Sequence, residues 1–152
     1  MIASLHSAHS RGCESGKRYR WGSSITMVSG LPRQRVLDFG CGKGELSRQL
    51  AAQGHSVVAY DPDPALAGRL ASLASPTLIT ATDFVQALAD GPFDLVVCRR
   101  VVCLLDHADM LGVAAQLRRA VKREGRVLVA VCHPGFAPWI ATSEAQPDTA
   151  AK

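Results

Sequence analysis

The sequence is short of the features that announce a metal, a membrane or secretion. Its five cysteines, Cys13, Cys41, Cys98, Cys103 and Cys132, contain no C-x-x-C pair, and one is left over from any full pairing. They read as small, mostly buried thiols of a reducing compartment, which points to a cytoplasmic protein. The five histidines lack the H-x-x-x-H and H-E-x-x-H spacings, so no metal site is expected. No apolar run reaches the ~18 residues of a membrane span. The amino-terminal region has no apolar core followed by a small-residue cleavage site, so no secretory signal is expected. Charge of one sign is not in large excess either: 17 Lys and Arg stand against 13 Asp and Glu. The small basic surplus gathers at Arg11, Lys17, Arg18 and Arg20, where it serves solubility and does not indicate a nucleic-acid partner.

What is present is an ordinary globular composition, 47% hydrophobic and 20% charged over 152 residues, enough for one core. Residues 1–16, rich in Ser, His and Gly, read as a flexible leader. A domain follows over residues 17–136, and residues 137–152, rich in Ala, Pro and polar side chains, read as an irregular tail. Inside the domain short apolar runs alternate with amphipathic ones. Strands are expected at Arg35–Phe39, Ser56–Tyr60, Thr77–Ala81, Phe93–Cys98 and Arg126–Cys132. Helices are expected at Glu45–Gln53, Pro64–Ala74, Phe84–Ala89 and His107–Lys122. Asp63 before Pro64 suits a helix start, and Gly54 and Gly125 stand where helices should stop. Strand alternating with helix in this way predicts an α/β fold, a doubly wound, mostly parallel sheet covered on both faces.

The chemistry concentrates in the first strand-to-helix turn, Val36-Leu37-Asp38-Phe39-Gly40-Cys41-Gly42-Lys43-Gly44-Glu45-Leu46. Glycines at alternate positions let the backbone turn sharply and let a ligand approach without meeting a Cβ. The helix start that follows offers backbone N–H groups. Asp38 sets a carboxylate beside the turn. Asp61 ends the second strand about 20 positions on, the place suited to holding ribose hydroxyls. A phosphate-binding P-loop is excluded, because Lys43 is followed by Gly44 and Glu45 rather than by Ser or Thr. A dinucleotide fingerprint is disfavoured, because Glu45 stands where the third glycine belongs.

The string V-L-D-F-G-C-G-K-G-E-L resembles the first motif of class I S-adenosylmethionine-dependent methyltransferases, and the likeness extends over about residues 33–136. It implies that backbone around Gly40, Cys41, Gly42 and Gly44 cradles the methionine part of S-adenosylmethionine and that Asp38 helps hold its ammonium group. Asp61, followed by Pro62, matches the acid that grips both ribose hydroxyls. Asp83 matches the acid that meets the adenine amino group, with Phe84 packing beside the ring. Cys98, at the end of the fourth strand, completes the cofactor set.

The resemblance implies methyl transfer to a small-molecule acceptor. The Asn/Asp-Pro-Pro-aromatic motif, the Pro-Cys nucleophile of cytosine methylation and a magnesium-binding carboxylate cluster are all missing after Cys98. Cys98 and Cys103 read as structural thiols rather than nucleophiles. Arg99 and Arg100 are either contacts for an acidic substrate or solvated. No catalytic residue is assigned; His133, after the fifth strand, is the general-base candidate, with an ordinary loop histidine as the other reading.

The chain departs from the family where a sixth and a seventh strand should follow, so the sheet is expected to be truncated after the fifth. Strand Arg126–Cys132 then becomes an open edge. A homodimer or a partner subunit covering it, a fragment of a longer methyltransferase, and a non-catalytic cofactor-binding module are the open alternatives.

Overall fold

A computed structural model describes residues 30–131. His133, Cys132, the leader and the tail lie outside the described residues.

The described chain forms β1 (Arg35–Phe39), α1 (Glu45–Ala52), β2 (Ser56–Tyr60), α2 (Ala67–Ala71) after a 3-10 turn at Pro64–Leu66, and β3 (Leu78–Ala81). There follow α3 (Phe84–Ala89), β4 (Phe93–Arg99), a 3-10 turn at Val102–Leu104, α4 (His107–Ala120) and β5 (Val121–Ala130). The strands make one sheet in the order β3-β2-β1-β4-β5, and each neighbouring pair is parallel. The expected doubly wound architecture is what the chain adopts. Strand order reverses between β1 and β4, which opens a crevice at the carboxyl ends of those strands.

Alternation along the strands sorts the core into two layers. Leu37, Phe39, Val58, Tyr60, Val96 and Cys98 face Phe84 and Ala87 of α3 and Val113, Leu117 and Ala120 of α4. Val36, Val57, Ala59, Leu95 and Val97 face Leu46 and Leu50 of α1 and Leu70 of α2. Asp38 shares the parity of Val36, so it lies under α1.

The largest departures from the periodicity are at two boundaries, the others differing by one or two residues. The helix expected over Pro64–Ala74 is a 3-10 turn and a short α2, because the Ser72 hydroxyl donates to the Arg69 carbonyl at 2.7 Å. Ser75 and Leu78 then exchange backbone hydrogen bonds of 2.9 and 3.1 Å that close the turn. Pro76 reinforces the stop by holding Ser75 away from helical geometry.

The second departure is at Gly125, which does not end a helix: α4 stops at Ala120, and β5 begins at Val121, earlier than Arg126. Lys122 Nζ reaches Asp94 Oδ1 at 2.6 Å and ties the strand start to β4. The register shifts between the pairs Phe93–Val121 and Leu95–Arg126. Gly125 sits inside that irregularity, where a Cβ would fall 2.9 Å from the Phe93 carbonyl oxygen and 3.0 Å from that of Asp94. Gly125→Ala is expected to destabilise the chain by about 1–3 kcal/mol, the scale of overpacking against groups that cannot yield. Urea unfolding checks this.

Among the described residues β5 is one of the two end strands of the sheet, with Val127 and Val129 exposed. No helix among the described residues is long and apolar enough to cross a membrane. No metal-binding cluster of His, Cys, Asp or Glu is present among them.

Candidate functional site

The turn after β1 and the end of β2 are held together. Gly40 and Cys41 donate their N–H groups to the Tyr60 carbonyl at 2.8 and 3.0 Å. Gly42 donates to Asp61 Oδ2 at 2.8 Å, and Asp61 Oδ1 accepts from Asp63 N at 3.0 Å. Asp61 is buried, with both carboxylate oxygens engaged. The acid that spacing placed opposite the glycines is in contact with them.

The three glycines differ in what they permit. All have positive φ, a region that suits glycine. A Cβ on Gly40 would meet Val101 Cγ2 at 2.2 Å, and one on Gly44 would meet Leu73 Cδ1 at 2.5 Å. On Gly42 it would meet nothing within 4 Å. Gly40 and Gly44 allow close packing of the protein on itself, while Gly42 presents bare backbone to open space.

Asp38 is buried beneath the turn. The Ser47 hydroxyl donates to its Oδ2 at 2.5 Å, and Ser47, in the first turn of α1, adds its backbone N–H. Gly44 supplies no side-chain cap to α1, so a carboxylate from the neighbouring strand stands at the positive end of the helix. Burial pushes the Asp38 carboxyl up to about 6, partly offset by the Ser47 hydroxyl and by Arg99, while Asp61 raises it further. The negative charge at this helix start is supplied by the protein itself. Such a site suits a cationic ligand group better than a phosphate.

A cleft opens at the carboxyl ends of the strands. Gly40, Asp61, Pro62 and Asp63 line it, with an apolar wall of Tyr60, Val101, Leu104 and Leu105 and, from α4, Asp109, Val113 and Gln116. Of the residues that resemblance assigned to the cofactor, Gly40, Asp61 and Pro62 border it. Gly42 and Gly44 continue the same turn, and Asp38 and Cys41 lie buried behind it.

Asp83 and Phe84 stand at the start of α3, outside the lining of this cleft. Asp83 Oδ1 caps α3 by accepting from Gln86 N at 3.0 Å. Phe84 is buried against Phe39 and Tyr60, with ring centroids 5.9 and 5.5 Å away. Cys98 is buried in the sheet, and burial pushes its thiol up to about 11. Burial also raises the Cys41 thiol, with Asp38 and Asp61 adding to the shift. Neither is a thiolate at neutral pH, in keeping with structural thiols.

Sequence reasoning missed Gln116. It comes from the middle of α4, yet lines the cleft, and its Oε1 is buried without a partner. Its spacing from Val113 and Leu117 gave the only hint of the face it occupies.

A family profile described as a methyltransferase domain matches residues 14–145. The chain belongs to this methyltransferase domain family, the S-adenosylmethionine-dependent class whose first motif its glycine turn resembles. A ubiquinone biosynthesis O-methyltransferase of Pseudomonas aeruginosa (strain LESB58) is 35% identical over 122 residues, covering 74% of this chain and 49% of that protein. The chain thus spans about half the length of the relatives it matches. Among solved structures, a TehB-like SAM-dependent methyltransferase from Corynebacterium glutamicum superposes with a TM-score of 0.61 at 24% identity, covering 82% of this chain and 71% of that one. The N-methyltransferase NodS from Bradyrhizobium japonicum, solved with S-adenosyl-L-homocysteine, gives 0.56 at 22% identity, covering 67% and 54%. These structural likenesses are likenesses of fold.

Proposed function

We propose that the chain is the cofactor-binding core of an S-adenosylmethionine-dependent methyltransferase acting on a small-molecule acceptor. The observation that carries this is the 2.8 Å contact between Gly42 N and Asp61 Oδ2, which joins the glycine cradle to the ribose-type carboxylate. The buried Asp38 at the start of α1 supports it, because that charge favours an ammonium-bearing ligand.

When bound, the cofactor supplies an activated methyl group on a sulfonium together with its own leaving group. The chain's residues position it. Bare backbone at Gly42 and Gly40 receives the amino-acid part, Asp38 holds its ammonium, and Asp61 accepts from the ribose hydroxyls. The apolar wall of Val101, Leu104 and Leu105 excludes water from the base. The P. aeruginosa relative is named for O-methylation, which supports an acceptor oxygen.

The buried thiols of Cys41 and Cys98 suit a reducing compartment and with it a cytoplasmic location. The exposed Val127 and Val129 on β5 support a covering partner there, a second copy being the simplest.

Calorimetric titration with S-adenosylmethionine and S-adenosylhomocysteine tests the reading. Asp61→Ala is expected to weaken binding by about 1–3 kcal/mol, the scale of hydrogen bonds to a charged group. Unchanged affinity in this variant contradicts the ribose assignment.

A further inference from the structure

We infer that Asp109 selects the methyl acceptor: its carboxylate, on the α4 side of the cleft, receives a hydrogen-bond donor from an apolar acceptor that carries no negative charge. The inference rests on the cofactor reading above and names the substrate class of the same site.

Topology sets the order across the cleft. α3 packs on β2 and β3, and α4 packs on β4 and β5, with β1 between the two pairs. Asp61, Pro62 and Asp63 follow β2, whereas Asp109, Val113 and Gln116 come from α4. The cofactor reading holds the ribose on the β2 side, which leaves the α4 side to the acceptor. Asp109, Val113 and Gln116 follow one another at helical spacing, so they share one face of α4. From Asp109 to Gln116 the helix rises about 10 Å. It runs back from the carboxyl ends of the strands, so Asp109 stands where the cleft opens and Gln116 stands deeper.

The α4 side lacks donors. Asp109 is half-buried, and its carboxylate has no hydrogen-bond or ion-pair partner among the described residues. Asp61 by contrast engages both oxygens with backbone N–H groups, and Asp63 Oδ1 accepts from Ala65 N at 2.8 Å. Gln116 Oε1, deeper on the same face, is buried without a partner. Unmet acceptors in a cleft favour a ligand that brings an N–H or O–H to them.

Charge excludes the opposite class. Asp61, Asp63 and Asp109 border the cleft, and no Lys or Arg among the described residues does. Arg99 shares the α1 face of β4 with Val97, and so lies with Asp38 on the other side of the sheet from α4. A carboxylate or phosphate on the acceptor would meet like charge here with no cation to pair with. Val101, Leu105 and Val113 give its body apolar walls.

The test uses the full chain saturated with S-adenosylhomocysteine and three fluorescent probes of one shape near neutral pH. These are 2-naphthylmethylamine, 2-naphthylmethanol and 2-naphthoate: a cation, an uncharged donor and an anion. The amine and the alcohol are each expected to bind at least about tenfold more tightly than the naphthoate, the scale of a hydrogen bond to a charged group. Asp109→Asn is expected to cut the amine's advantage about fivefold. Asp109→Glu is expected to keep it, as is Glu124→Gln, which removes the same charge from an exposed position near the start of β5.

A merely structural Asp109 would lower affinity for all three probes alike, whereas this role moves the ratio of amine to naphthoate. Naphthoate binding as tightly as the amine, an unchanged ratio in Asp109→Asn, or a loaded chain that binds none of the probes overturns the inference. A wild-type chain that does not take up S-adenosylhomocysteine overturns the cofactor reading itself, and this inference with it.

Discussion

Replacing Asp38 with Asn is expected to remove about 3 kcal/mol of pH dependence from the stability of this chain. The Asp38 carboxyl titrates at about 6 in the folded chain against an ordinary value of 3.8. Below 3.8 the group is protonated in both folded and unfolded chains and contributes no difference. As pH rises from 3.8 to 6 the unfolded chain releases its proton first, so unfolding becomes progressively easier. Above 6 the folded chain holds a buried charge, and the full penalty is in force. The stability difference between Asp38→Asn and wild type should therefore shift toward the variant as pH rises through this window, then level off. Urea titrations from pH 4 to pH 8 give the comparison. A constant offset between the two proteins contradicts the assignment. The same variant should bind S-adenosylmethionine more weakly at pH 8, because it no longer opposes the ammonium charge. Stability gained and affinity lost in one substitution is the signature of a charge kept for a ligand.

Gly40→Ala is expected to cost about 2–5 kcal/mol. Two effects add. The backbone at Gly40 has φ of 72°, a left-handed conformation that disfavours a Cβ by about 1–2 kcal/mol. The new methyl would also lie 2.2 Å from Val101 Cγ2, and relieving that contact costs about 1–3 kcal/mol. Valine is stiff about χ1, so it cannot swing aside cheaply. Val101→Ala in the Gly40→Ala background should return the steric part and leave the conformational part, a non-additivity that a double-mutant cycle measures. Gly42→Ala is the contrast. Its Cβ meets nothing within 4 Å, so only the conformational cost applies to stability. Calorimetry should show the opposite order for the cofactor, with Gly42→Ala impaired by the methyl it places in the cradle.

Much of this was legible in the residues. The apolar runs Arg35–Phe39 and Ser56–Tyr60 are bounded by turn residues and buried on both faces, and their limits match the structure. The approach of Asp61 to the glycine turn was readable because a β-α-β unit with these spacings leaves little freedom. The end of α4 was not legible. Val121 and Lys122 continue a helical pattern, and only the long-range pairings with Phe93 and Asp94 make them a strand. The caps provided by Asp83 and Asp106 escaped notice for a related reason. An aspartate before a helix can serve a ligand, the helix or both, and only the hydrogen bonds to Gln86 N and Asp109 N reveal the capping role. Gln116 was invisible because no local pattern says that a polar residue on a helix faces a cleft. The buried partner of Asp38, Ser47, needed the packing of α1 over β1 to appear.

The tether from Gly42 to Asp61 determines when conformational freedom is lost. Without it, a turn of three glycines would have to be ordered anew each time a ligand arrived, and the entropy of that ordering would be subtracted from affinity. With the tether in place the loop is already shaped when the chain folds, so the folding equilibrium bears that loss and association is spared it. Cutting the tether by changing Asp61 should therefore add a loosened, slowly organised loop to the missing hydrogen bonds, visible as a more unfavourable binding entropy.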